Sequence, residues 1–253
     1  MNLSYRFFRV WQRNLDVFLR LWHTEVPGFV AEPVIILLSM GIGLGAYVGL
    51  VGGQTYMEFI VPGIITSYAM YSAVFECTYG SFTRMEYQRT YDAIIATPLS
   101  IDDVIAGEIF WGATRSLLTG VVILAIASAF QLVHSAWALL IPPVVLLEGI
   151  MFSSISMFFT SLVPSIYSFN YFFTLFITPM FFFSGVFFPL SSFPPLVQTL
   201  SWIAPLTSPV YICRYLLNGE FRSGMLGALG IMVIFILFFF LIALRNMRRR
   251  LTV

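Results

Sequence analysis

The chain has 253 residues, of which 59% are hydrophobic and 10% charged, and its mean hydropathy is +0.90. Soluble domains carry roughly 25% charged residues, so this composition predicts a membrane protein. A net charge of +1 from few and scattered charges gives no reason to expect nucleic-acid binding, which needs a basic surface. All thirteen basic residues are arginine, so the lysine of an ATP-binding P-loop is absent. The two cysteines and two histidines lack the spacing of a metal site.

Residues 1–26 predict an amphipathic helix at the membrane surface. Apolar residues such as Trp11 and Phe18 alternate there with Arg13 and Arg20, and such a helix lies in the interface with its apolar side toward lipid. The segment lacks the apolar run and cleavage site of a signal peptide, so we expect it to stay on the mature protein. It is either an anchor or a docking surface for a cytoplasmic partner.

Six stretches are apolar over the roughly twenty residues that a membrane-crossing helix needs. They run from Pro33 to Gly52, Phe59 to Phe82, Val104 to Val133, Ala136 to Val163, Ile166 to Phe188 and Met225 to Leu244. Arginines concentrate before the first stretch, between the second and third, and after the sixth. Arg115 lies within the third stretch, and among the loops only those with Arg214 and Arg222 depart from this grouping. Because arginine-rich short loops stay in the cytoplasm, the pattern predicts an all-α polytopic protein, a single domain over residues 1–253, with both termini cytoplasmic.

The first span contains a ladder of glycines at four-residue spacing: Gly41, Gly45, Gly49 and Gly53. Such a ladder lets two helix backbones approach closely. The neighbour is either another helix of the same chain or the same helix in a second copy.

The longest polar stretch, residues 84–103, connects the second and third spans. Four of its apolar residues recur at helical spacing: Tyr87, Tyr91, Ile94 and Ile95. Thr97 and Pro98 predict the end of this short helix. Ser100, with two aspartates after it, predicts the N-cap and acidic first turn of the next helix. The short helix either transmits force to a soluble subunit or lies on the lipid headgroups.

Four ionisable residues fall within or near spans two to four: Glu76, Glu108, Arg115 and Glu148. A charge at membrane depth costs about 2.5 to 3.5 kcal/mol on insertion scales unless it is paired or hydrated. Glu108 and Arg115 lie two turns apart on one helix, too far for direct contact, so we expect a network that includes Glu148 or Glu76. This network is a neutralising arrangement, a contact for a polar headgroup or sugar, or a proton relay.

The fifth span is rich in aromatic residues, and its Asn170 and Thr174 share one helix face. Aromatic runs in a membrane mostly face lipid. The alternative is an aromatic path along which sugar rings or acyl chains slide. Pro179 is expected to loosen the outer half of this helix.

Two segments resemble the type 2 ABC exporter permeases. The first is a charged cluster followed by a Thr-Pro-Leu turn, matched by Glu86, Arg89, Asp92, Thr97, Pro98, Leu99 and Ser100. The second segment lies within residues 184–219 and comprises the end of span five, an outer helix, a Pro-Leu-Thr turn and an arginine. The residues that match it are Ser184, Gly185, Phe187, Phe188, Pro189, Pro194, Pro205, Leu206, Thr207 and Arg214. With the six-span layout, the resemblance covers essentially the whole chain and is nearest to the nodulation-protein J-like permeases, which export lipo-oligosaccharides.

This resemblance implies a non-enzymatic membrane subunit of the bacterial inner membrane that pairs with a second copy and with two ABC ATP-binding subunits, which hold ATP and Mg. The implied coupling helix comprises Tyr87, Tyr91, Asp92, Ile95, Thr97, Pro98 and Leu99. Short helices within residues 189–219 would form an outer gate with Pro205 and Arg214. The substrate would be an amphipathic glycan, lipo-oligosaccharide or lipid, passing polar residues of the spans: Glu76, Glu108, Arg115, Glu148 and Asn170.

Two other classes of protein fit the composition. An ion-coupled carrier would use the intramembrane glutamates and would not need an ATPase. A membrane-embedded transferase would need converging His, Asp or Glu side chains near a headgroup. His23 and His134 fall on opposite sides of the predicted topology, which disfavours the transferase.

Overall fold

The computed structural model describes residues 4–252, apart from the side chains of Val26 and Phe29. Helix α1 comprises Phe7–Leu38. It continues through a π-helical turn, Ser39–Leu44, into helix α2, Gly45–Val48. The predicted surface helix and the first span therefore form one continuous helix, although Pro27 and Pro33 lie inside it. Residues 1–3 of the predicted surface helix lie outside the described part of the chain.

The first span ends earlier than predicted. The helix stops at Val48 because Gly49 adopts a φ of 67°, a left-handed value that glycine tolerates without strain. Strands β1, Leu50–Val51, and β2, Gln54–Thr55, then form an antiparallel hairpin. Gly52 and Gly53 make its turn with φ values of 60° and 85°, as two-residue hairpin turns require. Placing the span end at Gly52 was therefore wrong by one helical turn.

Helix α3, Tyr56–Phe75, begins with a capping box between Thr55 and Glu58 and continues through π-helical turns at Glu76–Gly80 and Thr83–Tyr87. Helix α4, Thr90–Ile95, is separated from it by Arg89, whose φ of 52° breaks the helix. Helix α5, Ile101–Ala129, has the predicted N-cap, since the Ser100 side chain accepts a bond from the Asp103 amide.

The second half of the chain contains three further spans and the short helices of residues 189–219. Helix α6, Ile141–Leu162, follows a short 3-10 turn, Ala136–Leu140. The fifth span consists of a 3-10 turn, Ile166–Ser168, α7, Phe169–Phe172, a π-helical turn, Phe173–Ile177, and α8, Thr178–Phe183. The segment 189–219 contains a 3-10 turn, Leu190–Ser192, α9, Pro195–Ser201, and α10, Thr207–Asn218. Helix α11, Gly224–Leu251, is the last helix of the described chain.

Six helical stretches of the described chain are long and apolar enough to cross a membrane: Val30–Val48, Tyr56–Tyr87, Ile101–Ala129, Ala136–Leu162, Ile166–Phe183 and Gly224–Leu251. The predicted all-α membrane protein with six spans is therefore confirmed. In the second span 78% of the most apolar window is buried by the rest of the chain, against 17% in the first and last spans. Helix α3 is thus the centre of the bundle, and the first and last spans lie on its outside.

The glycine ladder of the first span packs within the chain at two of its positions. A Cβ on Gly41 would lie 2.6 Å from the Met57 Cγ, and one on Gly45 would lie 3.7 Å from the Tyr56 Cβ. Gly49 and Gly53 instead have positive φ values in the turn region. For Gly41 and Gly45, the helix that approaches closely is α3 of the same chain.

The N-terminal segment, residues 84–103 and the C-terminal end of α11 meet at one end of the bundle. The Ser4 amide donates to Asp103 Oδ1 at 2.7 Å. Arg248 forms an ion pair with the buried Asp102, and Arg250 with Glu86 at 2.7 Å. Three segments that are far apart in sequence and rich in arginine therefore share one end, which we call the arginine-rich end.

Candidate functional site

The connection between spans two and three differs from the predicted single amphipathic helix. Tyr91 is fully buried, whereas Tyr87 is 65% exposed. The two rings do not share an apolar face because the left-handed Arg89 interrupts the helix between them. Among the other residues predicted to contact an ATPase, Asp92, Thr97 and Pro98 are exposed. Ile95 and Leu99 are partly buried.

Tyr91 anchors α4 to the membrane part of the chain. It belongs to an apolar cluster with Phe82, Ile105 and Leu244, which come from three different spans. Burial raises the pKa of Tyr91, and its hydroxyl interacts electrostatically with Glu108. A displacement of α4 would therefore reach the spans directly.

Glu108 of α5 is fully buried and is surrounded by donors from two other segments, α1 and the helical continuation of α3. It forms an ion pair with Arg84, whose Nε lies 3.0 Å from Glu108 Oε2. The Ser81 hydroxyl donates to the same oxygen at 2.8 Å, and the Asn14 amide donates to the other oxygen at 3.1 Å. Such full pairing is what allows a carboxylate to stay charged in a low-dielectric interior.

The network extends from Arg84 to Arg115 through Glu76. Arg84 Nη2 lies 2.7 Å from Glu76 Oε1, and Arg115 Nε lies 3.6 Å from Glu76 Oε2. Arg115 also pairs with Glu25 of α1 at 2.5 Å. Glu108 and Arg115 are thus linked by Glu76 and Arg84, and we call this connected set the charge network.

Three members of the charge network were not singled out in the sequence: Asn14, Glu25 and Arg84. Asn14 and Glu25 were missed because α1 was expected to lie on the membrane surface, whereas it packs along α5. Arg84 was counted only as a loop charge for topology. The helical period continues from residues 1–26 into the first span and could have indicated one continuous helix, but no sequence signal places Glu25 beside α5.

Glu148 and Asn170 lie outside the charge network, so of the two glutamates expected to join Glu108 and Arg115 the structure brings in Glu76. Glu148 of α6 is fully buried, and both of its carboxyl oxygens lack a hydrogen-bond partner among residues 4–252. Cys213 of α10, also fully buried, is close enough to interact with it electrostatically. Asn170 is exposed, and its Oδ1 lies 3.4 Å from the hydroxyl of Tyr79.

Two cavities lie along α1 and meet at Arg115. The first has a volume of about 420 Å³ and is lined by Arg13, Glu25, Glu76, Arg84 and Arg115 together with Phe18, Tyr79 and Trp111. The second has a volume of about 450 Å³ and is lined by Arg115, Glu32, Tyr68, Tyr71 and Phe75. Charged and aromatic side chains therefore form a continuous wall between α1 and helices α3 and α5.

Arg214 of α10 links the chain after the fifth span to α3. Its Nη2 donates to the Gly185 carbonyl at 2.7 Å and to the Phe59 carbonyl at 3.4 Å. The guanidinium also lies 4.1 Å from the centre of the Phe59 ring, a favourable cation–π distance. Burial lowers the pKa of Arg214 to about 10. Pro205 lies nearby in an apolar cavity of about 450 Å³ between α8 and α9.

Comparison with known proteins agrees with this architecture. A family model described as ABC-2 type transporter matches residues 5–218. Nodulation protein J of Rhizobium leguminosarum bv. trifolii is 36% identical over 98% of this chain and 95% of its own length. Nodulation protein J of Sinorhizobium fredii is 34% identical over 96% of this chain and 92% of its own length. The inner membrane transport permease YadH of Escherichia coli is 30% identical over 92% of this chain and 91% of its own length. The chain therefore belongs to the ABC-2 type transporter family as a membrane permease, and this membership implies an ABC ATP-binding partner.

Proposed function

We propose that this chain is the membrane subunit of an ATP-driven exporter in the bacterial inner membrane, and that it moves an amphipathic glycan or lipo-oligosaccharide out of the cytoplasm. The observation that carries the proposal is the full-length similarity to nodulation protein J together with the arrangement at the arginine-rich end. There, exposed residues of α4 lie directly beside a buried network that joins α1, α3 and α5.

The arginine-rich end is the cytoplasmic face in this proposal. It gathers the N-terminal segment, residues 84–103 and the end of α11, which carry most of the arginines of the chain. Arginine-rich segments near span ends stay in the cytoplasm. Both termini and α4 then face the ATP-binding subunit, and α4 with its flanking residues acts as the coupling element.

Two copies of this chain, with two ATP-binding subunits, form the working transporter. The first and last spans are largely exposed in the single chain, so they are available to contact lipid or a second copy. ATP and Mg bind to the partner subunits, whose closure moves α4. Through Tyr91 the motion reaches Arg84 and Glu108, and repacking of the spans then alternates access.

The charged and aromatic wall along α1 supports a glycan substrate. Sugar rings offer hydroxyl groups to carboxylates and guanidinium groups, and their apolar faces pack on aromatic rings. Glu76, Arg115, Tyr71 and Tyr79 provide both kinds of contact along the two cavities. The chain's own contribution is to bind and guide the substrate, since no covalent step is required.

The proposal is tested by co-expressing the chain with its ATP-binding subunit and reconstituting the complex in nanodiscs for ATPase assays and in vesicles for transport. Asp92→Arg reverses an exposed charge of α4, and we expect it to lower ATP-dependent transport of a labelled lipo-oligosaccharide at least about tenfold, the effect of losing about 1.4 kcal/mol of coupling. Glu220→Arg is the matched control, because Glu220 is exposed outside the arginine-rich end and its reversal should leave transport unchanged.

Transport that continues without the ATP-binding subunit under an ion gradient would refute the exporter proposal and favour an ion-coupled carrier. Equal loss with Asp92→Arg and Glu220→Arg would refute the assignment of α4 as the coupling element. Uptake into inside-out vesicles defines the direction, since export in cells corresponds to accumulation in such vesicles.

A further inference from the structure

The first span carries one carboxylate, Glu32, that the charge network does not include. Helix α1 presents this exposed side chain at the second cavity, the one of about 450 Å³ that is also lined by Tyr68, Tyr71 and Ser72. The ion pairs formed among residues 4–252 all involve other carboxylates. Within the described chain, Glu32 is therefore without a cationic partner.

Glu32 lies deep in the membrane part of the chain. The Tyr68 hydroxyl is close enough to donate a hydrogen bond to the Glu32 carboxylate, and Tyr71 is close enough to interact with it electrostatically. Tyr68 lies twelve residues after Tyr56, where α3 begins, which is about 18 Å along a helix that rises about 1.5 Å per residue. The hydrocarbon core is about 30 Å thick. Because an unpaired carboxylate at this depth is costly, Glu32 is expected to have a ligand.

The charges around the cavity favour a cation as this ligand. The neighbouring group of arginines and glutamates contains equal numbers of both signs: Arg13, Arg84, Arg115, Glu25, Glu76 and Glu108. Arg115 also lines the cavity of Glu32, but it is already paired with Glu25 and Glu76. Glu32 thus adds one negative charge to a wall that is otherwise balanced.

The lining of the cavity suits an amine that is attached to a polar ring. Tyr68, Tyr71 and Phe75 follow one another along α3, with ring centres 6.2 Å and 6.4 Å apart, and the faces of aromatic rings attract cations. The Ser72 hydroxyl in the same wall is buried and has no hydrogen-bond partner among residues 4–252, so a bound ligand can supply one. The volume of about 450 Å³ falls within the range of roughly 300 to 1,000 Å³ that is usual for small-ligand pockets.

We propose that Glu32 binds a protonated amino group of the transported substrate, beside the rings of Tyr68 and Tyr71. The inference rests on the proposed function, because it takes the occupant of the cavity to be the exported amphipathic glycan. It adds the chemistry of one substituent: the glycan carries a free amine, whose N–H groups donate charge-assisted hydrogen bonds to the Glu32 carboxylate. Ser72 then pairs with a hydroxyl group of the same sugar.

The test measures binding, which depends neither on ATP nor on the direction of transport. The complete complex in phosphatidylcholine nanodiscs is titrated with an alkyl glucosaminide that has a free amine and with its N-acetylated form, which lacks the positive charge. We expect the wild-type complex to bind the free amine roughly tenfold more tightly, the effect of one charge-assisted contact. Glu32→Gln should remove this preference and leave the affinity for the acetylated form unchanged. Asp16→Asn is the matched control, because Asp16 is exposed on the same helix and does not line the cavity.

Gly28→Lys supplies a second variant that keeps the carboxylate. Gly28 lines the cavity one helical turn before Glu32, and a Cβ there meets no atom within 4 Å. A lysine at this position can pair with Glu32, since residues four apart are neighbours on a helix. Gly28→Lys should therefore abolish the preference for the free amine, whereas the uncharged Gly28→Gln should preserve it. This pair decides the question if Glu32→Gln fails to fold.

Equal affinity of the wild-type complex for the two compounds would overturn the proposal, and so would the same loss of preference with Asp16→Asn. A Glu32→Gln complex that loses its second copy yet keeps the preference for the free amine would also overturn it, because Glu32 would then lie between copies of the chain. ATP-dependent transport of neither compound would contradict the exporter function alone, since the binding measurements still decide the role of Glu32.

Discussion

Two buried glutamates on adjacent helices have opposite surroundings. Glu108 receives bonds from Arg84, Ser81 and Asn14, whereas both oxygens of Glu148 lack a partner within residues 4–252. An isolated carboxylate in an apolar interior is far more costly than a neutral carboxylic acid. We therefore expect Glu148 to be neutral and Glu108 to be charged.

The pair Glu148→Gln and Glu108→Gln tests this difference. Glutamine is a neutral side chain of nearly the same shape, so we expect Glu148→Gln to leave the melting temperature of the purified protein within error of wild type. Glu108→Gln leaves Arg84 without one of its two counter-charges, and breaking a buried ion pair costs about 3 kcal/mol or more. Thermal unfolding in the same nanodiscs measures both variants. Equal destabilisation by the two substitutions would show that Glu148 is charged and paired in the assembled protein.

At the scale of helices, α5 and α6 pack closely against each other. A Cβ on Gly149 would lie 2.8 Å from the Ala113 Cα and 3.0 Å from the Ala113 carbonyl oxygen. Both are backbone atoms, which cannot move away as a flexible side chain can. Glycine therefore sets the distance between these two spans, as small residues do in membrane helix packing.

Gly149→Ala should separate α5 from α6 and lower stability by about 1 to 3 kcal/mol, the usual cost of overpacking a dense core. Gly43→Ala is its matched control, since a Cβ at Gly43 meets no atom within 4 Å and alanine is the better helix former. Melting temperatures in nanodiscs compare the two. A loss for Gly43→Ala as large as that for Gly149→Ala would indicate that Gly43 packs against a second copy of the chain.

Patterns within single elements predicted much of this fold. The length of apolar runs located six spans, and Ser100 with its aspartates located the start of α5, because both signals act over one or two helical turns. Boundaries that depend on backbone conformation were not predictable in this way. The end of the first span at Gly49 and the break at Arg89 both depend on positive φ values. For Arg89, a residue type that seldom adopts such values, no sequence signal existed.

The charge network was predicted only in part for a related reason. The cost of an unpaired charge in a membrane predicts that Glu76, Glu108 and Arg115 have partners, and the structure joins them. It does not predict which segments supply the remaining members, because that depends on how helices pack. Arg84 and Glu25 therefore appeared only in the structure, and Glu148 proved to lie among apolar residues of α6 and α10.

At the scale of the whole molecule, the last helix joins residues 84–103 to the spans. Arg250 Nη1 donates to the carbonyls of Thr160 and Val163 at 2.7 Å each, and its Nη2 donates to Glu86 at 2.7 Å. One side chain thus connects α11, the end of α6 and the segment that leads into α4. These carbonyls lie at a helix C-terminus, where unpaired acceptors attract a cation.

Arg250→Gln should disconnect residues 84–103, which contain the proposed coupling element, from α6 and α11. A glutamine amide is shorter and uncharged, so it cannot reach both carbonyls and pair with Glu86. We expect the reconstituted complex to keep most of its basal ATP hydrolysis while its transport of substrate per ATP hydrolysed falls severalfold, since α4 would move without displacing the spans. Arg249→Gln is the matched control, because Arg249 is exposed and carries the same charge one residue away. Parallel loss of hydrolysis and transport with Arg250→Gln, together with a lower melting temperature, would instead show that Arg250 only stabilises the fold.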